Sequence, residues 1–185
     1  MPAIDISQCS RCQNPAIIFQ EYSGQHYCSG CLIRSVRKRI GRELRKQLVL
    51  PKSEKNQFTR IMVAISGGKD SAVLLETLHH FLKDRRDVTL IAGCVDEGIE
   101  GYRKPSMECA EKLANSLGIE FKTLSYKSLG FDEMDNVVKI MPIISKKHEE
   151  VKGMSPCSFC GVFRRQGINK LASEVDADYV ALGHN

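Results

Sequence analysis

Apolar residues recur along this chain with two different periods, and the change between them falls near residue 58. Leu32, Val36, Ile40, Leu44 and Leu48 stand four apart, which places them on one face of a helix reaching to about Leu50. Most positions between them are Arg or Lys. Pro51 stops that helix, and Lys52 to Gln57 reads as a polar linker. From Phe58 onward, short β-branched runs alternate with amphipathic stretches. Strands are expected at Arg60–Ile65, Val88–Val95, Glu120–Tyr126 and Tyr179–Leu182. Helices are expected at Asp70–Leu82, with an apolar stripe of Val73, Leu74, Leu78, Phe81 and Leu82, and at Pro105–Leu117, Asp132–Lys147 and Cys160–Val175. Alternation of this kind builds a parallel sheet covered by helices on both faces, an α/β fold. A doubly wound sheet continues past a strand with another helix and strand. Gly183-His184-Asn185 ends the sequence directly after a strand, so the expectation is of a chain incomplete at its C-terminus.

The composition is that of an ordinary globular protein, with 42% apolar and 26% charged residues in 185. A chain of this size buries roughly two-thirds of its unfolded surface. The longest clean apolar run is Ile61 to Ile65, far short of the roughly 20 residues a spanning helix needs. The start of the chain has neither a basic flank nor an apolar stretch and does not read as a secretory signal. A cytoplasmic protein without membrane contact is expected. No internal repeat or low-complexity tract interrupts it.

Charge is unevenly spread. The net charge is +5, yet nine Lys and Arg face only Glu43 and Glu54 between Arg34 and Lys55, so the remainder is net negative. A run of this kind is ordinarily a solvated helix face. Concentration of all the positive excess in one segment also suits phosphates of a nucleic acid.

Eight cysteines in a chain without export signals point to metal or redox chemistry rather than disulfides. Cys9-x2-Cys12 and Cys28-x2-Cys31 have the spacing of a four-thiolate zinc site, each pair on one tight turn. Four protein ligands leave no open position, so the expected role is structural. His26 is not needed as a ligand. Cys157-Ser-Phe-Cys160 is a single pair at a helix start, after Pro156. Its spacing alone leaves three readings open: a redox disulfide, half of another zinc site, or partial ligation of an iron–sulfur cluster. Cys94 and Cys109 read as buried small hydrophobes. His79 and His80 are adjacent on a helix and are assigned no role.

Between the first strand and helix of the α/β part lies Ser66-Gly67-Gly68-Lys69-Asp70-Ser71. Two glycines let the backbone turn sharply and offer N–H groups to an anion, and the helix start adds its free N–H groups and positive dipole end. The Ser66 and Ser71 hydroxyls can donate to phosphate oxygens, Lys69 can neutralise charge, and Asp70 can hold Mg2+. This is not a Walker A loop, since Val63 stands where its first Gly belongs and Asp70 follows the Lys.

The hexapeptide resembles the PP-loop of ATP pyrophosphatases, which cut ATP between the α and β phosphates and adenylate a substrate oxygen. Three further segments follow in order: Val95-Asp-Glu-Gly-Ile-Glu-Gly-Tyr-Arg103, Pro156-Cys-Ser-Phe-Cys-Gly-Val-Phe-Arg-Arg-Gln166 and Gly183-His-Asn185. With the leading double C-x-x-C, they resemble the tRNA 2-thiouridine synthetases of the TtcA/TtuA superfamily. The likeness is greatest to the archaeal NcsA and eukaryotic cytosolic branch, which thiolates the wobble uridine, rather than to the position-54 enzymes. The resemblance implies a Rossmann-like PP-loop domain of the adenine nucleotide alpha hydrolase kind over residues 58–185. It implies a zinc module over 1–33, with the basic helix and linker at 34–57. ATP would be held by the loop, by backbone at Ala64 and Val95, and by Arg164 and Gly183. Cys157 and Cys160 match two of three cysteines that ligate a [4Fe–4S] cluster, with one iron left open for sulfide. Asp70, Cys157 and Cys160 would be the catalytic residues.

The third cluster cysteine and the acidic residues that usually follow Gly-His-Asn are absent from the sequence. The implied partners are tRNA and a sulfur donor, either sulfide or a ubiquitin-like sulfur carrier protein. The apolar stripe Leu32–Leu48 has the form of a packing face for the catalytic domain or for a second subunit, as in a homodimer. Two other readings share the loop: an amidotransferase-like adenylating enzyme, and a non-catalytic tRNA-binding subunit. A persulfide on Cys157 or Cys160 is the alternative to the cluster.

Overall fold

The computed structural model describes residues 8–50 and 58–183. Pro51, the linker Lys52–Gln57, His184 and Asn185 lie outside the described residues. The chain divides into two compact units, Met1–Leu50 and Pro51–Asn185.

The first unit is small and nearly without aliphatic interior. A hairpin of β1 (Ile18–Gln20) and β2 (Gln25–Tyr27) turns through a single 3-10 turn closed by Gly24. It leads into α1 (Ser29–Gln47). The buried cluster consists of Cys9, Tyr27, Cys28 and Cys31, with Cys12 and Leu32 against it. The helix begins five residues before Arg34, so the expected boundary between module and basic helix falls inside it, and Cys31 rides on its first turn. Leu32, Val36, Ile40, Leu44 and Leu48 are all half-buried along the expected stripe, while Arg34, Lys38, Arg39, Arg42, Arg45 and Lys46 are exposed.

In the second unit the elements run β3 (Thr59–Ala64), α2 (Lys69–Leu82), β4 (Val88–Asp96), α3 (Arg103–Ser116), β5 (Glu120–Ser125), α4 (Met134–Lys147), α5 (Pro156–Glu174) and β6 (Tyr179–Leu182). Four parallel strands form one sheet in the order β5-β4-β3-β6. The chain steps outward from β3 to β5, then returns through α4 and α5 to lay β6 on the other side of β3. In such sheets ligands bind outside the carboxyl ends of the strands where the order reverses, here between β3 and β6.

Alternate strand residues face opposite sides of the sheet. Met62, Ile91 and Leu124 pack with Leu171, Ala172 and Val175 of α5. A second cluster of Val95, Tyr126, Met134 and Val137 is covered by Phe131, Phe159 and Phe163. The Phe131 and Phe163 rings stack at 4.3 Å, and Tyr126 meets Phe163 edge-on at 5.5 Å. These aromatic contacts fix the N-terminal end of α5 over the rim of the sheet.

Several expectations shift. Helix α5 begins at Pro156 rather than Cys160, because Ser155 caps it by accepting the Ser158 N–H at 3.3 Å and Pro156 fits the first helical position. In α2 the buried positions are Ser71, Leu75, Thr77 and Leu78, while Val73 and Phe81 are exposed. Cys109 is exposed, not buried, because α3 turns Arg103, Ala110 and Ala114 inward. Cys94 is buried as expected.

Candidate active site

The loop after β3 is shaped by its own hydroxyls. Ser71 Oγ accepts the Ser66 N–H at 3.2 Å, donates to the Gly68 carbonyl at 3.0 Å and lies 3.2 Å from Ser66 Oγ. Ser66 Oγ in turn accepts the Gly68 N–H at 3.3 Å. Gly67 adopts φ +85°, in the left-handed region that favours glycine. α2 starts at Lys69, so its free N–H groups point out of the loop toward the carboxyl end of the sheet. Lys69 and Asp70 are exposed and paired with each other at 3.1 Å.

Beside this loop, Ala64, Ser66, Ser71, Val95, Arg164 and Gly183 line one cleft at the reversal point of the sheet. Gly183, just past β6, passes so close to α2 that a Cβ there would stand 3.1 Å from the backbone of Asp70 and Ser71. Any larger residue would press on the helix start. Gly67, Gly68, Lys69 and Asp70 form the loop and helix start beside the cleft rather than its lining.

Two further residues in the cleft wall carry charge. Glu97 and Arg103 are 4% and 5% exposed and form an ion pair at 2.5 Å. Arg103 also donates to the carbonyls of Ser66, at 3.0 Å, and of Val95, to Ser106 Oγ and to the Cys94 sulfur. It therefore ties the loop after β3 to the end of β4. Glu97 binds a second cation, Arg164 Nε, at 2.9 Å. Burial works against the Arg164 charge, but Glu97 and Cys160 outweigh it and hold its pKa above the usual arginine value. Of the segment Val95–Arg103, sequence reasoning assigns a role to Val95 alone. The acidic and basic residues further along that segment are the signal it leaves unused.

Cys157 and Cys160 share the first turns of α5, with Cys157 exposed and Cys160 half-buried. Arg164 reaches the Cys160 sulfur at 3.4 Å, and Tyr126 Oη lies 3.5 Å from it while donating to the Cys160 carbonyl at 2.9 Å. Burial, reinforced by Cys160, holds the Tyr126 hydroxyl protonated far above its ordinary range. The same guanidinium thus touches the cleft wall and the cysteine pair.

In the first unit the sulfurs of Cys9, Cys12, Cys28 and Cys31 all lie within 4.8 Å of one another. Cys12 stands 3.5 Å from Cys28 and 3.6 Å from Cys31. A tetrahedral zinc with sulfurs at about 2.3 Å requires sulfur–sulfur separations of about 3.8 Å, so the set fits a metal of this kind. Burial opposes ionisation of Cys9, but backbone N–H groups of Cys28, Arg11 and Cys12 bring its pKa down to about 6. Asn14 favours the Cys12 thiolate, yet Cys28, burial and the other two sulfurs push it up to about 12. Four crowded sulfurs compete for charge, and a divalent cation among them relieves that competition.

Residues 37–139, more than half of the chain, match the family model described as the PP-loop domain. The chain belongs to the PP-loop domain family. Residues 8–33 match the N-terminal LIM domain of the 2-thiouridine synthetase TtuA. Among the relatives, this PP-loop protein is 36% identical to the tRNA 2-thiolation protein NcsA of Haloferax volcanii over 96% of its own length and 53% of the relative's. It is 34% identical to a probable sulfurtransferase of Methanocaldococcus jannaschii, over 98% of the chain and 50% of that protein. A solved structure titled as the U34-tRNA thiolase NcsA of Methanococcus maripaludis with its [4Fe–4S] cluster matches 96% of the chain and 54% of its own, at 35% identity and a TM-score of 0.72. The NH3-dependent NAD synthetase of Campylobacter jejuni shares the fold alone, at 18% identity and a TM-score of 0.50 over 80% of this chain and 55% of that one. The resemblance to the thiolation branch and the α/β PP-loop fold both hold. The chain spans about half the length of the curated relatives it matches.

Proposed function

We propose that this chain carries the nucleotide-activating part of an ATP-dependent tRNA 2-thiolation enzyme acting on the wobble uridine. The observation that carries the reading is the cleft. Six residues from distant segments, Ala64, Ser66, Ser71, Val95, Arg164 and Gly183, converge on it beside the loop and the free N–H groups of α2. That arrangement suits a nucleotide whose phosphates rest on the loop. In the proposed reaction the uridine C2 oxygen attacks the α-phosphate of ATP and pyrophosphate leaves. Sulfur then replaces the activated oxygen, and AMP departs with it.

Ser66, Gly67, Gly68 and Ser71 cradle phosphate through backbone N–H groups and hydroxyls, Lys69 supplies positive charge and Asp70 turns from Lys69 to hold Mg2+. The match to a relative with a [4Fe–4S] cluster supports Cys157 and Cys160 as two thiolate ligands to such a group. They lie three apart on a helix, one exposed and one half-buried, and a third ligand must come from elsewhere. When bound, the cluster supplies a Lewis-acidic iron for an inorganic sulfur atom. Zinc at Cys9, Cys12, Cys28 and Cys31 is structural. The exposed cations of α1 contact tRNA phosphates. The sulfur donor is sulfide or a sulfur carrier protein, and the setting is the cytoplasm. No described helix is long and apolar enough to cross a membrane.

Nucleoside mass spectrometry tests the proposal. tRNA incubated with the anaerobically purified natural protein carrying this sequence, ATP, Mg2+ and sulfide should gain 2-thiouridine, with about four irons per chain by metal analysis. Zinc without iron and unmodified tRNA would leave a PP-loop adenylating enzyme with another acceptor. Full thiolation with normal ATP use by a Cys157→Ala variant would remove that residue from the mechanism.

A further inference from the structure

The buried carboxylate of Glu97 lies between two guanidinium groups that differ in freedom. Arg103 is 6% exposed at its side chain and carries four other protein partners, so it is locked. Arg164 is 45% exposed and is held by Glu97 at 2.9 Å and the Cys160 sulfur at 3.4 Å. Glu97 is thus a carboxylate shared by two arginines, one locked and one half-exposed at the cleft wall. A half-exposed guanidinium held in this way can pair with an anion in the cleft. Glu97, Arg103 and Arg164 all line the cleft that opens beside the loop Ser66–Ser71.

We infer that Glu97 is a positioning residue for nucleotide binding: it holds the half-exposed Arg164 at the cleft, where that guanidinium meets a bound phosphate. The inference rests on the nucleotide reading of the cleft and adds to it a residue outside the loop. In this reading Glu97 acts on the nucleotide through Arg164, while Arg103, bound to two carbonyls, Ser106 Oγ and the Cys94 sulfur, anchors Glu97 from the buried side. The Arg164 guanidinium also touches Cys160, so one side chain is shared by the cleft and the cysteine pair.

Isothermal titration of Mg-ATP into the natural protein carrying this sequence and its variants tests this. Glu97→Gln and Arg164→Gln should each weaken binding about tenfold, the scale of one charge-assisted hydrogen bond. The double variant should be no more than about twofold weaker than either single one, because both remove the same interaction. Reductions that multiply to about a hundredfold would overturn the proposal, since Glu97 would then act independently of Arg164. Unchanged affinity in Glu97→Gln would overturn it as well. Glu97→Asp, which keeps the charge, should recover part of the affinity.

A second measurement needs no change at Glu97. In a 15N-arginine spectrum of the wild-type chain, the Arg164 Nε–H resonance, assigned by its disappearance in Arg164→Gln, should move on ATP addition. ATP that binds without moving it refutes the positioning role and leaves the nucleotide reading standing. A wild-type chain that does not bind ATP refutes both.

Discussion

Gly67 rests against Ser106 of α3: a Cβ on Gly67 would stand 2.0 Å from the Ser106 carbonyl oxygen. With φ at +85°, two separate constraints demand glycine there. The loop after β3 is thus held from behind by α3 as well as from within by Ser66 and Ser71. Gly67→Ala should destabilise the chain by about 2 kcal/mol or more, combining left-handed strain with overpacking. Urea unfolding measures this, and titration calorimetry should show ATP affinity falling at least tenfold. An unchanged midpoint and affinity would mean that the loop does not depend on this contact.

The cysteines should separate by reactivity. Burial pushes the Cys94 thiol up to about 11, although the adjacent Arg103 charge pulls the other way. Because only the thiolate reacts, Cys94 should stay unmodified by iodoacetamide at pH 8 and begin to react as the pH approaches 11. Cys109 is exposed and belongs to neither proposed metal site, so it should alkylate readily at pH 8. Peptide mass mapping across a pH series reads each site. Rapid alkylation of Cys94 at pH 8 in the folded chain would contradict its burial.

Removal of metal should affect the two units unequally. The buried cluster of the first unit is Cys9, Tyr27, Cys28 and Cys31, so little apolar surface supports it without an ion. Treatment with a zinc chelator should collapse the amide resonances of residues 8–50 toward random-coil positions while those of 58–183 remain dispersed. One zinc per chain by elemental analysis should accompany the folded form. Retention of all dispersed signals after complete metal removal would make the four-cysteine site dispensable for folding.

Binding of tRNA should depend on the exposed cations of α1. Every phosphate that is no longer neutralised reduces the slope of log affinity against log salt by roughly 0.7–0.9. A Lys38→Gln, Arg42→Gln, Arg45→Gln triple variant should therefore lower that slope by roughly two and weaken binding at low salt. Fluorescence anisotropy over a salt series checks it. An unaltered slope would return these side chains to the role of a solvated helix face.

Much of this architecture is legible in the sequence because local rules govern it. Alternating β-branched runs and amphipathic stretches fix strands and helices through side-chain periodicity. Paired C-x-x-C spacings fix a four-sulfur cluster, because short turns leave those sulfurs few places to go. The hexapeptide Ser66–Ser71 announces a tight strand-to-helix loop through its glycines and hydroxyls, which act on their own neighbours.

Contacts across long stretches of chain are not legible there. That Gly183 presses on Asp70, that Glu97 joins Arg103 to Arg164, and that Tyr126 donates to the Cys160 carbonyl depend on how β6 and α5 return to β3 and β4. Burial does not follow from hydrophobicity either: Thr77 is covered in α2 while Val73 and Phe81 face outward. A residue's own character sets its local conformation. Which side of a helix meets the sheet, and which distant charges share one buried carboxylate, are settled only when the elements pack.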